Sequence, residues 1–152
     1  YKKLFSSLLH VFRNAIDHGI ESREERISMN KPERALITIQ FEKDSHGSFK
    51  IVIKDDGKGI NTDLIRYLAG KNSRLNHLPL KEMSDQEIIQ VIFYPGFSSK
   101  EEASDISGRG VGLDAVKAEV EKIGGTISVK SEIDKGTTIN VIVPILMPFL
   151  KD

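Results

Sequence analysis

His10, Asn14 and Asp17 stand at i, i+4 and i+7 in a stretch that also repeats Leu4, Leu8, Phe12 and Ala15 at helical spacing. That pattern predicts an amphipathic helix over residues 4–18, stopped by Gly19, with the polar residues opposite the apolar stripe and Arg13 and His18 on their flanks. A side-chain amide on a rigid helix offers an oxygen ligand to Mg²⁺ carried on phosphates, so Asn14 is the first candidate for metal chemistry. A solvated helix face would present the same residues, and the spacing alone favours that plainer account.

Asp55, Gly57 and Gly59 form Asp-x-Gly-x-Gly at the end of a β-branched run. A carboxylate at a strand end accepts a hydrogen bond from the exocyclic amine of adenine, and the glycines permit unusual backbone angles and close approach to the ring. An ordinary Asp-Gly turn has the same composition. Gly108, Gly110 and Gly112 lead into a predicted helix, where unobstructed N–H groups and the positive helix end make a phosphate cradle. No strand runs directly into that turn and no Walker lysine motif occurs, so neither the dinucleotide fingerprint nor the P-loop applies.

These groups need a frame. Residues 35–42 and 48–55 alternate and are β-branched, separated by Asp44-Ser45-His46-Gly47, which predicts a hairpin. A helix is expected near 62–69. Ser84 and Glu87 give a capping box ahead of a helix over about 85–93, closed by Pro95-Gly96. Residues 98–109 are small and polar and read as a loop, followed by an amphipathic helix over 111–123 and strands near 126–131 and 137–144. The stretch from Glu21 to Glu33 reads as a polar connection. This order predicts an α+β fold, a two-layer α/β sandwich whose mixed sheet is covered on one face by helices.

With 152 residues, 39% hydrophobic, the chain is sized for a single domain over residues 1–152. Lys plus Arg and Asp plus Glu both total 22, so no overall field draws it to nucleic acid or an anionic membrane. The absence of cysteine removes disulfides and thiolate metal sites and suits a reducing compartment, with the cytoplasm as the expected location. No apolar run is long enough to span a bilayer and no leader is evident. Tyr1 in place of an initiator Met marks the chain as an expected piece of a longer parent, soluble or membrane-associated.

Taken in order, His10-Val11-Phe12-Arg13-Asn14-Ala15-Ile16-Asp17-His18-Gly19, Asp55-Asp56-Gly57-Lys58-Gly59-Ile60, Phe93-Tyr94-Pro95-Gly96-Phe97-Ser98-Ser99 and Gly108-Arg109-Gly110-Val111-Gly112-Leu113 resemble the N, G1, F and G2 boxes of the GHKL ATP-binding fold. The nearest likeness is to the catalytic domain of CheA-type two-component histidine kinases. The resemblance implies ATP and Mg²⁺ as cofactors, with Asn14 and His10 at the metal and Asp55 reading adenine. Arg13, His18 and Lys100 would act at the phosphates. Asp17, Gly57, Gly59, Ile60, Phe97, Ser98, Ser99, Gly108, Arg109, Gly110, Val111, Gly112, Leu113 and Thr137 would complete the nucleotide site, and residues 93–112 would form a lid hinged at Pro95-Gly96.

In the gyrase, MutL and Hsp90 branch, the position of His10 carries a glutamate that acts as general base on water. Histidine here therefore disfavours hydrolysis. The implied reaction is transfer of the γ-phosphoryl group to a histidine in signal transduction, with chemotaxis as one output. The implied partners are a histidine phosphotransfer domain, a downstream response regulator, and dimerisation and receptor-coupling domains outside these residues. No nucleic acid and no direct membrane contact are expected. A GHKL protein-serine kinase and a nucleotide-binding regulatory module are the alternatives. Only nine residues precede His10, fewer than that family has before its N box, so an exposed sheet edge is expected.

Overall fold

The computed structural model describes residues 2–43, 47–97 and 112–145. Helix α1 (Lys2–Asn14) opens the chain and buries Leu4, Leu8 and Val11. The predicted helix then widens into a π-helical turn, Ala15–Gly19. The polar connection contains a short helix, α2 (Arg23–Ser28), opened by a full capping box between Ser22 and Glu25. Strands β1 (Ile37–Lys43) and β2 (Ser48–Asp55) follow, then α3 (Thr62–Lys71). Helix α4 (Asp85–Ile89) begins at the expected Ser84–Glu87 box and tightens into a 3₁₀ turn, Gln90–Phe93. Helix α5 (Leu113–Lys122), β3 (Thr126–Glu132) and β4 (Gly136–Pro144) complete the fold.

The α+β layering is as expected, and the sheet corrects one feature of it. Its order is β1-β2-β4-β3 and every described pairing is antiparallel, so the sheet is not mixed. The reason lies in the crossover from β2 to β3. Those two strands share a direction, as a helical crossover requires, but β4 folds back between them as the second arm of a hairpin. The parallel relation survives in direction and disappears from the hydrogen bonding.

One face of the sheet carries the core. Ile51 and Ile53 of β2, Val129 of β3 and Ile139, Val141 and Val143 of β4 pack against Leu4, Leu8 and Val11 of α1 and Val116 and Val120 of α5. A second cluster, Ile65, Ala69, Leu75, Ile88 and Val91, joins α3 to α4. Strand β1 lies at the sheet edge with Ile39 and Phe41 exposed. Among the described residues no helix is long and apolar enough to cross a membrane.

Candidate functional site

The site is built where β2 ends. Alternation along β2 turns Ile51, Ile53 and Asp55 to the same buried face, so the last inward position of an apolar strand is a carboxylate, 6% exposed. Asp55 Oδ1 accepts hydrogen bonds from the backbone N–H of Gly57 at 2.9 Å and of Thr137 at 3.2 Å. Oδ2 takes no hydrogen bond among the described residues and is not sealed from solvent. Burial pushes the Asp55 carboxyl above its ordinary range, the two amides pull it down, and the neighbouring charges of Asp56 and Glu21 raise it further. The arrangement is an acceptor held at one oxygen and open at the other.

The turn that follows is pressed against the end of the first helical segment. Lys58 N–H donates to the Gly19 carbonyl at 2.9 Å. A Cβ on Gly57 would lie 2.1 Å from that same carbonyl oxygen, so only glycine fits. Gly59, at φ +71, faces the Glu132 carbonyl as closely. The first demand on these glycines is thus close approach by protein backbone, beyond the close approach to a ring read from the sequence. Ile60 donates its N–H to Ser131 Oγ, and Ser131 in turn shares a 2.9 Å contact with Thr137 Oγ1. Of the pieces named from sequence, Gly19, residues 55–60 and Thr137 therefore meet at one end of the sheet.

His10 and Asn14 are half-buried on α1, and His18 is exposed in the π turn. Among the described residues none of the three side chains makes a hydrogen bond or ion pair. The widened turn begins directly after Asn14, so the α-helical register that aligns His10 with Asn14 does not extend to Asp17. Asp17 instead pairs with Arg13 at 3.4 Å on an exposed surface. Among the described residues no three His, Asp or Glu side chains converge on a preformed metal site. The donor set fits Mg²⁺ that arrives with phosphates, which needs only one or two protein oxygens, and Asn14 Oδ1 is of that kind.

At the far side, Gly112 is the N-cap of α5 and supplies no side-chain cap, so among the described residues first-turn N–H groups such as that of Leu113 have no side-chain capping partner. Phe97 is half-buried against the second cluster, just after Gly96 at φ +83. Ser98, Ser99, Lys100, Gly108, Arg109, Gly110 and Val111, and most of the expected lid, lie outside the described residues.

Sequence reasoning missed the most buried polar cluster of the site. Arg26, 1% exposed, donates to Glu21 Oε2 at 3.0 Å, to Asp56 Oδ2 at 2.8 Å and to the Pro32 carbonyl at 2.7 Å. Lys31 pairs with Glu21 and donates to the carbonyls of Asp56 at 3.0 Å and Gly57 at 2.8 Å. Burial pushes the Glu21 carboxyl up, but its bonds with Lys31, its own backbone and Arg26 outweigh this and hold it below its ordinary value. Asp56 is likewise pushed up by burial and brought lower on balance by the Leu36 amide and Arg26. The helix that carries Arg26 had a signal, since Ser22-Arg23-Glu24-Glu25 obeys the same capping rule that located α4; the pairing of its cations had none.

Residues 4–147 match the family model described as histidine kinase-, DNA gyrase B-, and HSP90-like ATPase. The chain is 38% identical over 145 residues to a gliding motility regulatory protein of Myxococcus xanthus, covering 95% of this chain and 18% of that protein. It is 38% identical over 143 residues to the chemotaxis protein CheA of Bacillus subtilis, covering 94% of this chain and 21% of CheA. The sensor histidine kinase CheAY of Helicobacter pylori is similar at 38% over 145 residues, with 95% and 18% covered. The chain thus spans about a fifth of the length of these relatives. Among solved structures, the catalytic domain of histidine kinase ThkA aligns at TM-score 0.48 and 19% identity, covering 91% of this chain and 66% of that one.

Proposed function

The chain belongs to the family of histidine kinase-, DNA gyrase B- and HSP90-like ATPases, and from that premise we propose that it is the MgATP-binding catalytic domain of a CheA-type histidine kinase, passing the γ-phosphoryl group to a histidine on a separate domain or subunit. The observation that carries this reading is the Asp55 carboxylate, fixed at Oδ1 by the Gly57 and Thr137 amides and open at Oδ2, beside the end of the first helical segment at Gly19. Oδ2 accepts from the 6-amino group of adenine. Guanine presents a carbonyl there and is rejected, because two acceptors would face each other in a desolvated site.

Phosphoryl transfer asks a protein mainly for positioning and charge neutralisation. Asn14 Oδ1 would hold Mg²⁺, which would supply charge neutralisation at the phosphates. His10, one helical turn earlier, faces the same end, and Arg13, His18 and Lys100 contribute positive charge around the phosphates. The uncapped N–H groups at Gly112–Leu113 add the favourable end of the α5 dipole. The nucleophilic histidine comes from a phosphotransfer domain, and a response regulator receives the phosphoryl group afterwards.

Calorimetric titration with a non-hydrolysable ATP analogue tests the site. Binding should be lost in Asp55→Ala, and its Mg²⁺ dependence should be lost in Asn14→Ala. Adding a histidine phosphotransfer domain with ATP should yield an acid-labile, base-stable phosphoprotein. An acid-stable product would identify a serine kinase instead, and tight binding without any transfer would identify a regulatory nucleotide sensor.

A further inference from the structure

Glu21, Arg26, Lys31 and Asp56 balance two carboxylates against two cations, and none of the four makes a hydrogen bond to the Asp55 carboxylate. Their connection to it runs through one peptide unit. The carbonyl of Asp56 receives Arg26 Nη1 at 3.3 Å and Lys31 Nζ at 3.0 Å. The N–H on the opposite side of that same planar peptide is the Gly57 amide, which donates to Asp55 Oδ1 at 2.9 Å. Two cations on the oxygen polarise the peptide and strengthen the bond its N–H gives. Lys31 also grips the next carbonyl, Gly57 O, at 2.8 Å, and Asp56 is itself latched to Leu36 through N–H to carbonyl at 3.2 Å and Oδ1 from amide at 3.0 Å.

We propose that Arg26 and Lys31 are positioning residues for base recognition, holding the Asp56–Gly57 peptide so that Asp55 presents Oδ2 to the exocyclic amine of adenine. This rests on the adenine reading of Asp55 given above. A cluster that only braced the fold would have no reason to meet on the peptide that orients the base-reading carboxylate. The cost of burying Glu21 and Arg26 is offset by their pairing with each other, Lys31 and Asp56, and the turn gains one fixed geometry.

The experiment compares ATP with purine riboside triphosphate, which lacks the 6-amino group and has nothing to give Asp55. Calorimetry on the 152-residue chain should show wild-type protein preferring ATP. Lys31→Met should weaken ATP about tenfold, the scale of one hydrogen bond to a charged group, while purine riboside triphosphate binding changes by less than about twofold. Lys31→Arg, which keeps donors on both carbonyls, should restore most of the ATP affinity. If Lys31→Met does not fold, Lys31→Gln and Arg26→Lys carry the same comparison. Equal losses for both nucleotides, or no loss for either, overturn the positioning role. A wild-type chain that binds both nucleotides equally overturns the adenine reading of Asp55 and the proposal built on it.

Discussion

The two ends of the proposed nucleotide site are made differently. At the base end, the turn after β2 is gripped on every side: Asp55 by two amides, Asp56 by Arg26 and Leu36, Gly57 by Lys31 and by the carbonyl of Gly19. At the phosphate end, the side chains of His10, Asn14 and His18 make no hydrogen bond among the described residues, and Gly112 gives α5 no side-chain cap. Choosing a base requires a pre-set acceptor, because discrimination between an amine and a carbonyl depends on leaving the wrong partner unpaired. Holding a triphosphate requires groups that rearrange around a metal and release it after transfer. In the proposed site, rigidity stands where the base would be selected and freedom where the phosphates would lie.

The widest test of that contrast is Arg26→Met. It leaves buried Glu21 with Lys31 alone and takes the cation from half-buried Asp56, which should cost about 3 kcal/mol of stability, the low end for breaking a buried pair. The matching change at the phosphate end, Arg13→Met, breaks an exposed i,i+4 pair and should cost less than about 0.5 kcal/mol. Urea unfolding of the two variants measures the difference directly. Similar losses in both would mean that the base end is no more tightly held than the phosphate end.

Gly57→Ala comes next. Its methyl would sit 2.1 Å from the Gly19 carbonyl oxygen and 2.9 Å from Asp55 Oδ1, so the turn and the π segment must separate. Overpacking of this kind costs about 1–3 kcal/mol. Because the displaced atoms include the base acceptor, ATP affinity should fall with stability. An unchanged melting temperature would show that the two segments do not meet as closely as the contrast requires.

Much of this frame was legible in the sequence, and the exceptions have physical causes. Strand β2, ending at Asp55, followed from alternation, and α4 from the Ser84–Glu87 box, while the inward turn of Asp55 came only with the fold. The sheet was expected to be mixed because chain order shows which strands share a direction but not that β4 inserts between β2 and β3. The π turn escaped because apolar periodicity cannot tell 3.6 residues per turn from a wider turn over five residues. Arg26 and Lys31 escaped because a charge-rich stretch normally signals solvent, and only the fold reveals that its cations face carboxylates rather than water.

Asn14→Ala should leave stability within about 0.5 kcal/mol, since no described residue depends on its amide. Its effect should appear only in the nucleotide titration, as roughly tenfold weaker binding in Mg²⁺ and little change without it. A large loss of stability would mean that Asn14 is part of the frame, and the phosphate end would no longer count as free.

The smallest effect is the most specific. Asp55 and Asp56 are adjacent carboxylates displaced in opposite directions: burial, aided by the charges of Asp56 and Glu21, raises Asp55, while the Leu36 amide and Arg26 lower Asp56 against the effect of its own burial. A raised carboxyl binds its proton more tightly in the folded state, so the stability it contributes is present at low pH and is lost as pH rises from the unfolded value of 3.8 through the folded pKa. For Asp56 the sign reverses, and its contribution is lost as pH falls below 3.8 through the folded pKa. Asp55→Asn keeps the Oδ1 acceptor for both amides and removes the charge. At neutral pH it should therefore be as stable as wild type or more stable by up to about 1 kcal/mol, while losing ATP because an amide donor now faces the adenine amine. Asp56→Asn should be destabilising at the same pH. If Asp55→Asn destabilises the fold at pH 7 but not at pH 4, the charge on Asp55 is a structural asset, and its burial is not what works against folding at the base end.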